Sequence, residues 1–282
     1  MKAGRLKFAT LFLALAIPVA ANAQGIGLPN QTRETPVEIN ADQGIEWQQK
    51  RQAYVARGNA SARQGDTTVY ADTLTAWYKK VDGAQSEIFR IDADGNVRIK
   101  SPRQTAFGAK GVYLIDKGLL VLTGNPKLVT ETDTITARDS LEFWELKNLA
   151  VARGNAIAVR GERRLRADVL TAHLEKNAKG DTEIQRVEAF DNVVVSSESE
   201  IVRAKRGIYN VKTGIVRVHE NVRITRGDDQ LNGDSGVVNL NTGVSRLTSK
   251  GASRVRGFFK PKKTDPAQPN VDGENKPRSN GK

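Results

Sequence analysis

The chain has 282 residues, with 44 Lys and Arg against 32 Asp and Glu and a formal charge of +12. It contains no cysteine, which excludes disulfide stapling and a lipid-modified cysteine anchor, so stability must come from core burial. Basic residues mostly alternate with acidic ones, which argues against nucleic acid as a partner. The densest cluster, Arg163-Arg164-Leu165-Arg166, reads as a solvated strand face.

Met1 to Ala23 has the layout of a cleaved signal peptide. Lys2, Arg5 and Lys7 form a cationic start, an apolar run follows, and Ala21-Asn22-Ala23 fits the small-x-small cleavage rule. Pro18 interrupts the apolar run, which is too short to span a bilayer comfortably. The expectation is an exported protein. Residues 24–35, with Gly25, Gly27 and Pro29, read as a flexible lead-in. From Pro36 onward the apolar residues recur with period two. Val37 and Ile39 come first, then Val69, Ala71, Leu74 and Trp77, then Ile88, Ile91, Val97 and Ile99. The pattern continues through Leu165, Ala167 and Leu170 to Val222 and Ile224. Such alternation predicts antiparallel sheets with one buried and one wet face. Beyond Gly257 apolar residues almost vanish, so residues 258–282 read as a disordered basic tail.

A second signal overlies the alternation. Gly58-Asn59, Gly95-Asn96, Gly124-Asn125, Gly154-Asn155, Asp191-Asn192, Glu220-Asn221 and Gly251-Ala252 follow one another at steps of 37, 29, 30, 37, 29 and 31. About 12 residues after each Asn stands a second mark, such as Ala71-Asp72, Ala109-Lys110 or Ala167-Asp168. Because Asn and Gly tolerate positive φ, the first marks read as turns joining strands. The steps add up to long repeats of 96 and 97 residues, near 58–154 and 154–251. This predicts one continuous assembly over 36–257, without a Pro- or Ser-rich linker at the junction.

The chemistry-bearing motifs are sparse. Asp92-Ala93-Asp94-Gly95-Asn96 has the start of a calcium loop, but position twelve is Arg103 where an EF-hand needs Glu. Only His173 and His219 could ligate through imidazole, and neither stands at ligand spacing from a suitable partner. No nucleophile elbow or phosphate-cradling Gly loop occurs. The reading is no enzyme, no metal and no cofactor. A β-repeat glycan-active enzyme or a structural surface protein is the alternative.

From Pro36 to about Gly257 the chain resembles the LptA/OstA family of periplasmic lipopolysaccharide transport proteins. Pro36-Val37-Glu38-Ile39-Asn40-Ala41-Asp42-Gln43 resembles the family's opening strand. Gly58-Asn59-Ala60, Ala71-Asp72 and Leu120-Val121-Leu122-Thr123-Gly124-Asn125 resemble its recurring marks. The resemblance implies an all-β, elongated, twisted β-jelly roll of antiparallel strand repeats, open at both ends. It implies a periplasmic conduit that shields lipopolysaccharide acyl chains between inner and outer membrane. It also implies inner- and outer-membrane transport partners with similar rolls, and end-to-end stacking. Carried over residue by residue, Val37 and Ile39 match lipid-facing positions of the first strand, and Tyr113 and Ile115 a second interior pair. The internal repeat adds Tyr209 and Val211. The chain is longer than compact family members because the long repeat occurs twice. Acidic Glu38 and Asp42 at one end face Arg246, Lys250, Arg254 and Arg256 at the other, a complementarity that favours head-to-tail self-association.

Overall fold

The computed structural model describes residues 37–80, 86–176, 182–239, 241–242, 244–251 and 254–260. The predicted signal peptide, the lead-in and the tail beyond Lys260 lie outside the described residues. Eighteen strands among them form one antiparallel sheet. The first repeat comprises β1 (Glu38–Asn40), β2 (Ile45–Gln48), β3 (Ala53–Gln64), β4 (Thr67–Lys80), β5 (Ser86–Ser101), β6 (Gln104–Leu114), β7 (Leu119–Thr123) and β8 (Lys127–Thr130). The second comprises β9 (Thr134–Thr136), β10 (Ser140–Trp144), β11 (Leu149–Arg160), β12 (Arg163–Lys176), β13 (Thr182–Ser196), β14 (Ile201–Asn210) and β15 (Ile215–Arg226). A third, partial copy is made by β16 (Asp229–Asn239), β17 (Val244–Thr248) and β18 (Arg256–Phe258).

Each long strand pairs with its sequence neighbour, so the chain runs as a meander from one edge to the other. The repeats are joined by the same ladder: Leu122 of β7 pairs with Leu141 of β10, and Leu128 of β8 with Ile135 of β9.

The Gly-Asn marks are not strand-joining turns. Gly58-Asn59 lies inside β3, Gly95-Asn96 inside β5, Gly154-Asn155 inside β11, Asp191-Asn192 inside β13 and Glu220-Asn221 inside β15. At each, two residues with positive φ interrupt the register, for instance Gly58 at 74° and Asn59 at 44° between the pairs Arg57↔Thr73 and Ala60↔Ala71. They are β-bulges, which bend a strand and increase its twist. Gly124-Asn125 does separate β7 from β8, but both pieces pair antiparallel with β6, so the chain does not reverse there. Pro126, which has no N–H to give the ladder, follows at once. The actual reversals are tight turns such as Gly65-Asp66, Gly161-Glu162 and Gly227-Asp228 along one rim, and short 3₁₀ turns along the other. The 3₁₀ turns at Gln49–Arg51, Ile115–Lys117 and Glu145–Lys147 each end in a left-handed residue, Gln52, Gly118 and Asn148.

The second marks are the residues that oppose the bulges. Asp72 lies beside both the bulge of β3 and that of β5, and its carboxylate accepts from Asn96 Nδ2 at 3.1 and 3.0 Å. Asp42 accepts from Asn59 at 2.7 Å, and Asp168 from Asn192 at 2.8 Å. The bulges therefore line up into a seam across the whole sheet, and the sheet folds along that seam into two arms.

The fold shows directly in the core. One buried cluster takes Ala60, Ala71, Val97, Ala156 and Val193 from one side of the seam and Leu74, Leu120, Leu122, Phe143 and Leu170 from the other. Small residues sit where the arms meet most closely: Ala60 and Ala156 are fully buried. A second, smaller cluster of Ala204, Val218, Val222 and Ile224 continues it toward the C-terminal edge. This is the all-β, twisted jelly roll of antiparallel strand repeats. Among the described residues its two edges each have one partner strand, since β1 and β2 pair with β3, and β17 and β18 with β16.

Crossing the seam also resets the alternation. In β4 the inward residues are Val69 and Ala71 on one arm but Leu74 and Tyr78 on the other, so Trp77 points outward and donates from Nε1 to Asp92 Oδ2 at 2.7 Å. The C-terminal boundary shifts as well. Phe258 belongs to β18, and Lys260 bonds Asp229 through its backbone N–H and Asp228 through its Nζ, so the ordered assembly runs past Gly257.

Candidate functional site

The concave inner face of the folded sheet is where the apolar surface of this chain gathers. Near the seam it is closed by packing. Further from the seam the inner face stays partly open: Val69, Ile135 and Leu165 on one arm, and Tyr113, Ala150 and Leu174 on the other, pack on the core while remaining only half-buried. These positions run through both repeats without an interruption at the junction. The N-terminal opening is lined by aromatic rings. Trp47 stacks on Tyr54 at 6.0 Å, Tyr54 lies 5.1 Å from Tyr78, and Trp47 Nε1 donates to Tyr78 Oη at 2.9 Å.

The six residues anticipated from the sequence divide into three situations. Val37 precedes β1 and is 52% exposed, and Ile39 on edge strand β1 is 38% exposed. Tyr113 and Tyr209 lie at equivalent inward positions near the ends of β6 and β14, and Tyr209 is buried. Ile115 and Val211 are not on the strands. Ile115 opens a 3₁₀ turn and Val211 begins the turn after β14, where its N–H donates to Gln185 O. Tyr113 and Ile115 therefore do not share a strand face. Two-residue spacing implies a common face only while the backbone stays extended, and here it coils after Leu114 to reach Gly118.

Tyr113 also has a partner across the repeat junction. Its hydroxyl donates to Glu145 Oε2 at 3.1 Å, tying the rim of the first repeat to the 3₁₀ turn of the second. Burial pushes the Tyr113 hydroxyl well above its ordinary range, with the nearby Glu145 charge and their hydrogen bond adding to the effect. Burial likewise raises the Glu145 carboxyl, and the Tyr113 bond opposes that shift. Tyr209 is raised by burial, partly offset by Arg160. One residue pair away, burial pushes Glu142 up, but bonds from Arg153, Trp144 and Ser140, with Arg153's charge, outweigh it and leave the carboxyl below its usual range. Tyr113, Glu145 and Glu142 each have a structural partner.

The carboxylates of 92–96 are similarly taken. Asp92 accepts from Trp77 and from Arg90 at 2.6 Å, Asp94 pairs with Lys110 at 3.3 Å, and Gly95-Asn96 forms a bulge. Among the described residues no group of three or more His, Cys, Asp or Glu could hold a metal ion. The half-buried positions Val69, Ile135, Leu165 and Leu174 were visible in the sequence only as members of the alternation. Their partial exposure depends on distance from the seam, and the seam was misread as turns.

Two successive stretches, 38–139 and 134–244, match the family model described as "LptA/(LptD N-terminal domain) LPS transport protein". The chain belongs to this family. The family is one of transport proteins, so the enzyme alternative falls away. An uncharacterized protein of Rhizobium meliloti (strain 1021) is 29% identical over 122 residues, covering 42% of this chain and 63% of that protein. Among solved structures, the crystal structure of LptH, described as the LptA homologous periplasmic component of the lipopolysaccharide transport device of Pseudomonas aeruginosa, aligns at 12% identity. The alignment covers 81% of this chain and 98% of that one with a TM-score of 0.21. At that score the superposition assigns no residue of this family member.

Proposed function

We propose that the chain is a periplasmic bridge that shields the acyl chains of lipopolysaccharide against its concave apolar face during transport from inner to outer membrane. One observation carries this reading: the half-buried apolar positions flank the core on both arms and continue through both repeats. Burying acyl chains gains about 0.8 kcal/mol per methylene, so ten methylenes are worth roughly 8 kcal/mol. A lipid moving along equivalent apolar positions keeps most of that gain at each step. Photo-crosslinking residues at Val69 and Leu174 are expected to capture lipopolysaccharide, and the same residues at outward Thr68 and Glu175 to capture little. Equal labelling of inward and outward positions would remove the groove.

The partners that fit are the inner- and outer-membrane transport proteins with similar rolls, and further copies of this chain. Among the described residues both edges leave one side of their terminal strands without a partner, a template for strand addition. Exposed Ile45 and Trp47 at one edge and Val244 and Phe258 at the other supply apolar contact. Acidic Glu38 and Asp42 facing the basic far edge favour head-to-tail association, a heterologous contact that does not close on itself. Light scattering is expected to show concentration-dependent oligomers that Ile39→Pro weakens, because Pro removes a ladder donor. A chain that stays monomeric at high concentration would confine it to carrying lipid alone.

A further inference from the structure

The repeats differ on the outer face of the arm that ends in the tight turns. In the first repeat one cross-strand row reads Tyr70, Arg98, Phe107 and Lys127 on β4, β5, β6 and β8. Arg98 lies between two aromatic residues, with its guanidinium 4.3 Å over the Tyr70 ring. That cation has its partner. The equivalent row of the second repeat reads Arg166, Val194, Arg203 and Arg223 on β12, β13, β14 and β15. The charge pattern is inverted: cations stand on both sides of a small apolar residue. Arg164, opposite Ser196, adds another one step along.

These arginines are exposed and form no ion pair or side-chain hydrogen bond among the described residues. Three of the nearby acids are engaged elsewhere, Asp168 with Asn192, Glu220 with Lys205 and Glu200 with Arg226. Arg203 and Arg223 are direct cross-strand neighbours, an arrangement that destabilises a sheet unless an anion neutralises it. Arg164, Arg166 and Arg203, with Val194 and Ser196, surround a hollow of about 330 Å³. Residues on alternate strands lie about 10 Å apart, within reach of two arginine side chains converging over the small residue between them. Guanidinium forks match phosphate oxygens two at a time, and the Ser196 hydroxyl supplies a neutral donor.

We propose that this hollow is a phosphomonoester site that holds the phosphate of a lipid headgroup, with Arg164, Arg166 and Arg203 as its ligands. It rests on the lipid-binding reading above for the identity of the occupant: the inner faces of the same strands carry Leu165, Ala167, Val193 and Ala204 in the apolar clusters. The cationic hollow and the packed apolar core thus lie on opposite faces of one arm. Among the described residues the equivalent row of the first repeat offers no such cluster of arginines.

The test uses the full exported chain and three probes: dihexanoyl phosphatidic acid, dihexanoyl phosphatidylcholine and inorganic phosphate, followed by calorimetric titration. Phosphatidic acid is expected to bind best and to weaken as salt rises. The double variant Arg166→Gln/Arg203→Gln should weaken it by roughly 10-fold or more while leaving the phosphatidylcholine titration unchanged. Arg98→Gln, at the equivalent row of the first repeat, should change neither. The substituted arginines are exposed, so thermal melts should remain superimposable; if they do not, the salt dependence of the unmodified chain decides. Equal affinity for the two lipids, no loss in the double variant, or no salt dependence would overturn the site. Inorganic phosphate binding as tightly as phosphatidic acid would overturn the lipid assignment. Failed crosslinking at Val69 with this selectivity intact would remove the apolar groove and leave the phosphate site standing.

Discussion

Gly95→Val is expected to lower the unfolding free energy by about 3 kcal/mol or more, where Gly161→Ala costs about 1 kcal/mol. Both glycines have positive φ, 77° at Gly95 and 55° at Gly161. The difference lies in what the new side chain meets. A Cβ at Gly161 has nothing within 4 Å, whereas one at Gly95 would stand 2.1 Å from Asp72 Oδ2 and 2.7 Å from its Cγ. Asp72 must swing away, and both of its bonds from Asn96 are lost. A β-branched residue in the left-handed region adds its own penalty. Urea denaturation should show the midpoint of Gly95→Val well below that of Gly161→Ala, and a melting point lower by about 6–12 °C than the unmodified chain. Equal losses at the two positions would mean that the corner is not packed against Asp72.

Leu122→Ala should cost about 3 kcal/mol, and both repeats should feel it equally. Leu122 is 1% exposed at the junction, paired with Gly111 of β6 on one side and Leu141 of β10 on the other. The main core cluster extends on either side of it, from Ala56 to Val193. A truncation here leaves a cavity shared by the two repeats, with no linker to isolate it. Single-tryptophan versions can report each repeat separately, through Trp77 of β4 or Trp144 of β10. Their unfolding curves should coincide, and Leu122→Ala should shift both together. Curves that separate, with only one displaced, would show two independently folding units.

The period-two alternation and the recurring marks were legible in the sequence because they report local backbone states: extended residues with alternating faces, and residues that accept positive φ. From them follow the all-β class, the 96-residue repeat and the continuity of the ladder. Whether Gly-Asn ends a strand or bulges within it was not legible. Both geometries need positive φ, and only the pairing of residues on either side distinguishes them: Arg57 with Thr73 before the bulge, Ala60 with Ala71 after it. The same limit applied to Ile115 and Val211, whose spacing fits a strand face until the backbone coils to begin a reversal. It applied to Trp77, turned outward by a corner several residues earlier. The arginine row shows the limit most plainly. Arg164 and Arg166 stand on the solvated strand face that the sequence indicates, but Arg203 and Arg223 join them only through hydrogen-bonded ladders, so the row itself is not visible along the chain. Periodicity along one strand fixes which way a side chain points, whereas its neighbours across the sheet are set by register, which bulges shift one strand at a time.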